Sequence, residues 1–307
     1  MSRPNFFIAG APKCGTTALF QYLCLHPQVF APLEKEPNYF CEDFPGVRGP
    51  KSLNEYLDLF ASASDVETAI GDGSVGYMYS AAALPAIREF DPDARIIIMI
   101  RNPVEMVYSF HSQMLFTLNE DQADFSKAWA LQEKRAAGKS LPKDCLEPQF
   151  LQYESMGRMS VGIKRALDTF PAEQVKVLLI DDIKDSPQQV FNDVVSFLGL
   201  ERITLDEFPV VNANKTNKSA AVAMYTQRGL PPLIKKPLRA LKKLLGLGNV
   251  SISGKLDRLN KTEVARKPLS DDMRRKLGEI FADEIADLED LTGRDLQHWR
   301  DKNAASS

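Results

Sequence analysis

Short apolar runs alternate along the chain with longer stretches in which apolar positions recur every three or four residues. The runs FFIAG (6–10), AIGD (69–72), RIIIMI (95–100) and VKVLLID (175–181) predict strands buried on both faces. Amphipathic segments between them predict the helices that cover such strands. The expected fold is therefore α/β, a three-layer α/β/α arrangement around a central, mainly parallel sheet. Ser186-Pro187 reads as a capping serine with proline in the first helical position, opening a helix that stops at Gly199. Ser270 is expected to cap another helix, with Met273, Leu277, Ile280, Phe281, Leu288 and Leu291 along one core-facing side. No repeat or low-complexity tract is visible. The expected organisation is one domain over 1–302, with a helical insertion around 220–265 and a frayed tail from 303 to 307.

Composition narrows the classes. A chain of 307 residues with a net charge of -3 lacks the strong basic bias of a general nucleic-acid binder, so any polyanion site must be local. The first apolar run, Phe6 to Ala11, is far shorter than the roughly 20 residues that span a bilayer, and reads as a buried strand. The four cysteines, Cys14, Cys24, Cys41 and Cys145, show no C-x-x-C spacing, and reduced thiols in a cytoplasmic protein are expected. His26, His111 and His298 are too scattered for a zinc site, and no metal is expected. Between residues 228 and 247, Arg228, Lys235, Lys236, Arg239, Lys242 and Lys243 accompany a leucine stripe without one acid. That segment reads as a solvated helix face, with contact to an acidic ligand or peripheral contact to a membrane surface as the alternatives.

The chemistry begins at GAPKCGTTAL (10–19), where a strand runs through a glycine-bracketed loop into a helix start. Such a turn gathers the N–H groups of Cys14, Gly15, Thr16 and Thr17 around one anion. It is a P-loop-like nucleotide site with a difference: Thr16 stands where an ATP-binding loop has lysine, and the loop's lysine is Lys13. The strand RIIIMI ends in Arg101, a cation where a magnesium-dependent kinase usually has an acid. Arg101 and Ser109, about two helical turns apart, form a plausible second phosphate clamp, although a structural ion pair and a helix-surface serine explain them equally well in isolation. One 5' anion and one separate phosphate together fit 3'-phosphoadenosine 5'-phosphosulfate, PAPS.

At this point the chain resembles the PAPS-dependent sulfotransferase family, in particular bacterial members similar to the carbohydrate and heparan-type branch. GAPKCGTTAL is similar to that family's 5'-phosphosulfate loop, RNPVEMVYS (101–109) to its 3'-phosphate loop, and KEPNYF (35–40) to the segment carrying its base. The resemblance extends through FPAEQVKVLLIDDIKDSPQQVFNDVVSFLGL to LEDLTGRDLQHW. It implies that Lys13 stabilises the leaving phosphate, that Glu36 accepts the acceptor's proton, and that Arg101 and Ser109 hold the 3' phosphate. His111 is the reserve base. Lys218, in the basic loop NANKTNKS (212–219), is a candidate for the nucleotide's 3' side. The acceptor implied is a hydroxyl or amine on a carbohydrate, lipid or small metabolite, and the product nucleotide is adenosine 3',5'-bisphosphate. Two positions depart from the family's usual pattern: Gly73 follows Asp72 where heparan-type enzymes have lysine, and Arg158-Met159 follow Gly157 where G-x-Y is common. The rival readings are a non-catalytic nucleotide- or glycan-binding protein of the same fold and an ATP-dependent small-molecule kinase.

Overall fold

A computed structural model describes residues 2–32, 36–209, 215–217, 261–263 and 267–304. Five strands form one sheet: β1 (Phe6–Gly10), β2 (Val29–Phe30), β3 (Ala69–Asp72), β4 (Arg95–Ile100) and β5 (Val175–Leu179), in the order β2-β3-β1-β4-β5. Every neighbouring pair is parallel. β1 is buried at all five positions and lies between β3 and β4, which is why its sequence is a continuous apolar run with no polar alternation. Phe6 is in register with Gly71 and Arg95, and a Cβ on Gly71 would lie 2.3 Å from the Phe6 ring. The chain builds outward from β1 to β3 and β2 on one side and to β4 and β5 on the other. The carboxyl ends of β1 and β4 therefore flank the point where strand order reverses, the usual ligand crevice of an open parallel sheet.

The chain divides into two compact units. The first comprises 1–110, 152–212 and 269–307 and holds the sheet; the second comprises 111–151 and 213–268. In the second, Glu120 and Arg135 form a pair with both side chains fully buried, joined by two bonds of 2.6 Å. Glu120 Oε1 also takes the N–H groups of Asp121 and Gln122. Lys215–Asn217 and Lys261–Glu263 pair as antiparallel strands. The expected helical insertion otherwise lies outside the described residues, as does the basic 228–247 segment.

Several local expectations are corrected. VKVLLID does not stay extended to Asp181: β5 ends at Leu179 and a helix, Ile180–Asp185, starts with Asp181 and Asp182 in its first turn, where the helix dipole favours acids. Those carboxylates bind Trp299 Nε1 at 2.9 Å and Arg294 at 2.8 Å. Ser186 occupies the N-cap of Pro187–Phe197 but its side chain makes no capping bond. Ser270 does cap, accepting from the Met273 N–H at 3.4 Å. The helix it opens breaks at the buried Phe281 into Asp271–Ile280 and Ala282–Thr292. The break carries Glu284 onto the start of the helix Met159–Thr169, where it accepts from Ser160 N at 2.8 Å and Ser160 Oγ at 2.7 Å. Asn303, expected in the frayed tail, is 4% exposed within the helix Gln297–Ala304.

Candidate active site

The loop after β1 enters the helix Thr16–Leu23 through Gly15, whose φ of 88° puts it in the left-handed region. A Cβ there would also press within 3.2 Å of Ile180 and Met99, so glycine is required twice over. The first bond inside that helix runs from the Leu19 N–H to the Gly15 carbonyl, at 3.1 Å, and the turn before it is the electropositive end. Thr16 is buried and Thr17 half-buried. Cys14 is fully buried, and burial pushes its thiol up to about 12 against the pull of Arg101 and Lys13, so only its backbone serves the loop. Ala11 N–H donates to the Met99 carbonyl at 2.8 Å and ties the loop to β4.

Arg101 closes the other side of the crevice. Its Nη1 lies 3.4 Å from the Lys13 carbonyl, joining the loops after β1 and β4 directly. Its Nε and Nη2 donate to Glu105 Oε2 at 3.2 and 2.6 Å. The i,i+4 spacing on the helix Pro103–Phe116 makes this pair natural. Glu105 also binds Lys302 at 2.6 Å. Burial would raise the Glu105 carboxyl, but the bonds from Lys302 and Arg101 outweigh it and hold the group at about 2. Ser109 is on the same helix, 2% exposed.

Glu36 lies beyond β2, half-buried. Asn38 fixes its backbone: Nδ2 donates to the Glu36 carbonyl at 2.9 Å, while the Asn38 N–H donates to Ser74 Oγ at 3.0 Å. Ser74 Oγ donates to Asp72 Oδ1 at 2.6 Å, and the hydroxyls of Tyr56 and Tyr77 both donate to Asp72 Oδ2 at 2.7 Å. Asp72 is 0% exposed; burial raises its pKa, the three donors oppose that, and the charge of Glu36 raises it further. Tyr39 stacks on Tyr56 at 4.5 Å and Phe40 packs edge-on against Tyr56 and Tyr77. The aromatic pair of KEPNYF thus anchors its loop to the Asp72 cluster. Lys13 (φ 63°) and Glu36 (φ 62°) are two of five non-glycine residues with positive φ among the described residues.

The predicted site residues fall in two groups: Lys13, Cys14 and Arg101 follow β1 and β4, and Glu36 follows β2, near enough to Asp72 at the end of β3 for its charge to be felt there. Lys218 lies outside the described residues. His111 belongs to the second unit, 2% exposed with Nε2 at 2.8 Å from the Gln122 carbonyl, and burial lowers its basicity. Among residues the sequence reading passed over, Glu105 was visible as an i,i+4 partner of Arg101, whereas Tyr56 and Lys302 carried no local signal. At the departures from the family pattern, a Cβ on Gly73 would approach Phe20 to 3.1 Å, and one on Gly157 would lie 2.4 Å from the Phe281 ring. Arg158 turns away to Asp283 at 2.6 Å, and Met159 is fully buried.

Residues 3–227 match the Sulfotransferase domain family. The chain belongs to the sulfotransferase family. A solved sulfotransferase from Alicyclobacillus acidocaldarius superposes with a TM-score of 0.70 at 28% identity, covering 98% of this chain and all of that one. Rat carbohydrate sulfotransferase 15 is 27% identical over 248 residues, 64% of this chain and 44% of the relative. The mouse bifunctional heparan sulfate N-deacetylase/N-sulfotransferase 4 is 28% identical over 209 residues, 64% of this chain and 22% of the relative. This sulfotransferase chain thus spans less than half the length of either mammalian protein. No helix among its described residues is long and apolar enough to cross a membrane.

Proposed function

We propose that the protein transfers a sulfuryl group from PAPS to a hydroxyl or amine on a carbohydrate, lipid or small metabolite. The observation that carries this reading is the 3.4 Å contact between Arg101 and the Lys13 carbonyl, which sets the loops after β1 and β4 side by side, as a site for two anions requires. The donor set fits the nucleotide: N–H groups of Cys14 to Thr17 at a helix start suit a 5' phosphosulfate, and the Arg101 cation with Ser109 on the following helix suits a 3' phosphate. Membership of the sulfotransferase family supports the reaction, and the carbohydrate and heparan sulfate named for the two mammalian relatives favour a carbohydrate acceptor. Gly73, packed towards Phe20 and carrying no cation, favours an acceptor less anionic than a glycosaminoglycan.

In the proposed mechanism Glu36 takes the proton of the acceptor as its oxygen or nitrogen bonds to sulfur. Lys13 stabilises the negative charge that passes to the departing 5' phosphate as the bridging S–O bond breaks. Asp72 holds the Glu36 loop through Ser74 and Asn38 and is not the base, because three donors already occupy its oxygens. Sulfuryl transfer moves less charge than phosphoryl transfer, so one ammonium and one guanidinium suffice and no divalent ion is called for. Adenosine 3',5'-bisphosphate should raise the melting temperature and AMP should do so much less, with Arg101→Ala abolishing the difference. Equal shifts from both nucleotides in the wild type would refute the assignment of Arg101.

A further inference from the structure

The C-terminal helix Gln297–Ala304 is fastened to the turn that carries Arg101. Asn102 Nδ2 donates to Asn303 Oδ1 at 2.9 Å and to the Trp299 carbonyl at 3.2 Å, and Trp299 Nε1 reaches Asp181 at 2.9 Å. This docking brings Lys302 Nζ to Glu105 Oε1 at 2.6 Å, while Glu105 Oε2 holds Arg101 at 2.6 Å. One carboxylate is thus shared between two cations. The side chains of Glu105 and Arg101 are 19% and 22% exposed, so their charges are only partly screened by water. Arg101 and Glu105 alone would be neutral and would offer an incoming dianion no net attraction. With Lys302 on the second carboxylate oxygen, the cluster carries a surplus of one positive charge.

We propose that Lys302 is a positioning residue of the nucleotide clamp: it neutralises Glu105 from the second oxygen and leaves the guanidinium charge of Arg101 to a 3' phosphate. The proposal rests on the reading of Arg101 as a phosphate-binding residue. It assigns the last helix to cofactor selection, where the sequence pattern shows only a polar chain end.

The experiment is calorimetric titration of the full chain with adenosine 3',5'-bisphosphate and with AMP. Lys302 is 57% exposed, so its removal should leave the fold intact and the effect should be moderate. Lys302→Ala should weaken the bisphosphate by about three- to tenfold and leave AMP unchanged, and Lys302→Arg should restore the wild-type affinity. Because the lysine acts through Glu105, Lys302→Ala should have no effect in a Glu105→Gln background. Wild-type bisphosphate affinity in Lys302→Ala, or an equal loss with Glu105 already neutral, would overturn the proposal while the wild type still discriminated against AMP. A wild type that bound both nucleotides equally would overturn the Arg101 reading and this one with it.

Discussion

Tyr77→Phe tests how the buried Asp72 carboxylate supports the loop that presents Glu36. Asp72 is 0% exposed and receives Tyr56 and Tyr77 at 2.7 Å on one oxygen and Ser74 at 2.6 Å on the other. A hydrogen bond to a charged group contributes about 1.5–3 kcal/mol, and a neutral one about 1 kcal/mol. Tyr77→Phe should therefore cost about 2 kcal/mol near neutral pH. The sign of the pH dependence follows from burial, which raises the folded Asp72 value above the unfolded one. Ionising Asp72 thus costs stability, a cost absent below the unfolded value and fully present above the folded value. Removing a donor raises the folded value further, so the variant's deficit should be largest well above it and shrink towards about 1 kcal/mol as the solution is acidified. Urea unfolding followed by circular dichroism at about pH 7.5 and about pH 4.5 measures this directly, with Asp72→Asn as the reference background. In that background the same substitution should cost only the neutral bond. An identical loss at both pH values, or no loss at either, would refute the reasoning.

Glu36→Gln should retain bisphosphate binding while single-turnover transfer falls by about two orders of magnitude or more, and Lys13→Ala should lower the same step by a similar factor. Retention of most of the rate by Glu36→Gln would place the base elsewhere. In the second unit, Arg135→Met strands a fully buried Glu120 and should destabilise by about 3–5 kcal/mol, read from urea unfolding of that variant. Timed alkylation followed by mass spectrometry should label the exposed Cys24 first and leave Cys14 unmodified until the protein unfolds, since Cys14 is buried with its thiol near 12.

The runs that became β1, β3 and β4 were legible because strands buried on both faces must be apolar throughout. β2 was not, because two residues, Val29 and Phe30, leave no pattern to read. β5 was read two residues too long, since an apolar run followed by acids looks the same whether the acids end a strand or open a helix. In the site, Lys13, Gly15 and Arg101 were visible through their places in a loop and at a strand end. The bond from Tyr56 to Asp72 spans sixteen residues and that from Asn102 to Asn303 spans 201, and neither leaves a local periodicity. Glu105 was legible in principle, by its spacing from Arg101, but only the geometry gives it a second cation.

The left-handed backbone at Lys13 and Glu36 has a consequence for anyone who would improve this protein. A side chain held in that conformation costs about 1–2 kcal/mol that glycine would not. Glycine at either position is thus a locally relaxed replacement, and on the mechanism proposed it is also an inactive one. A library sorted for thermal tolerance alone would enrich such variants, and on the proposed mechanism it would erode turnover as it did so. Selection must therefore include a transfer assay from its first round, so that the conformational cost at these residues is kept as a condition of catalysis.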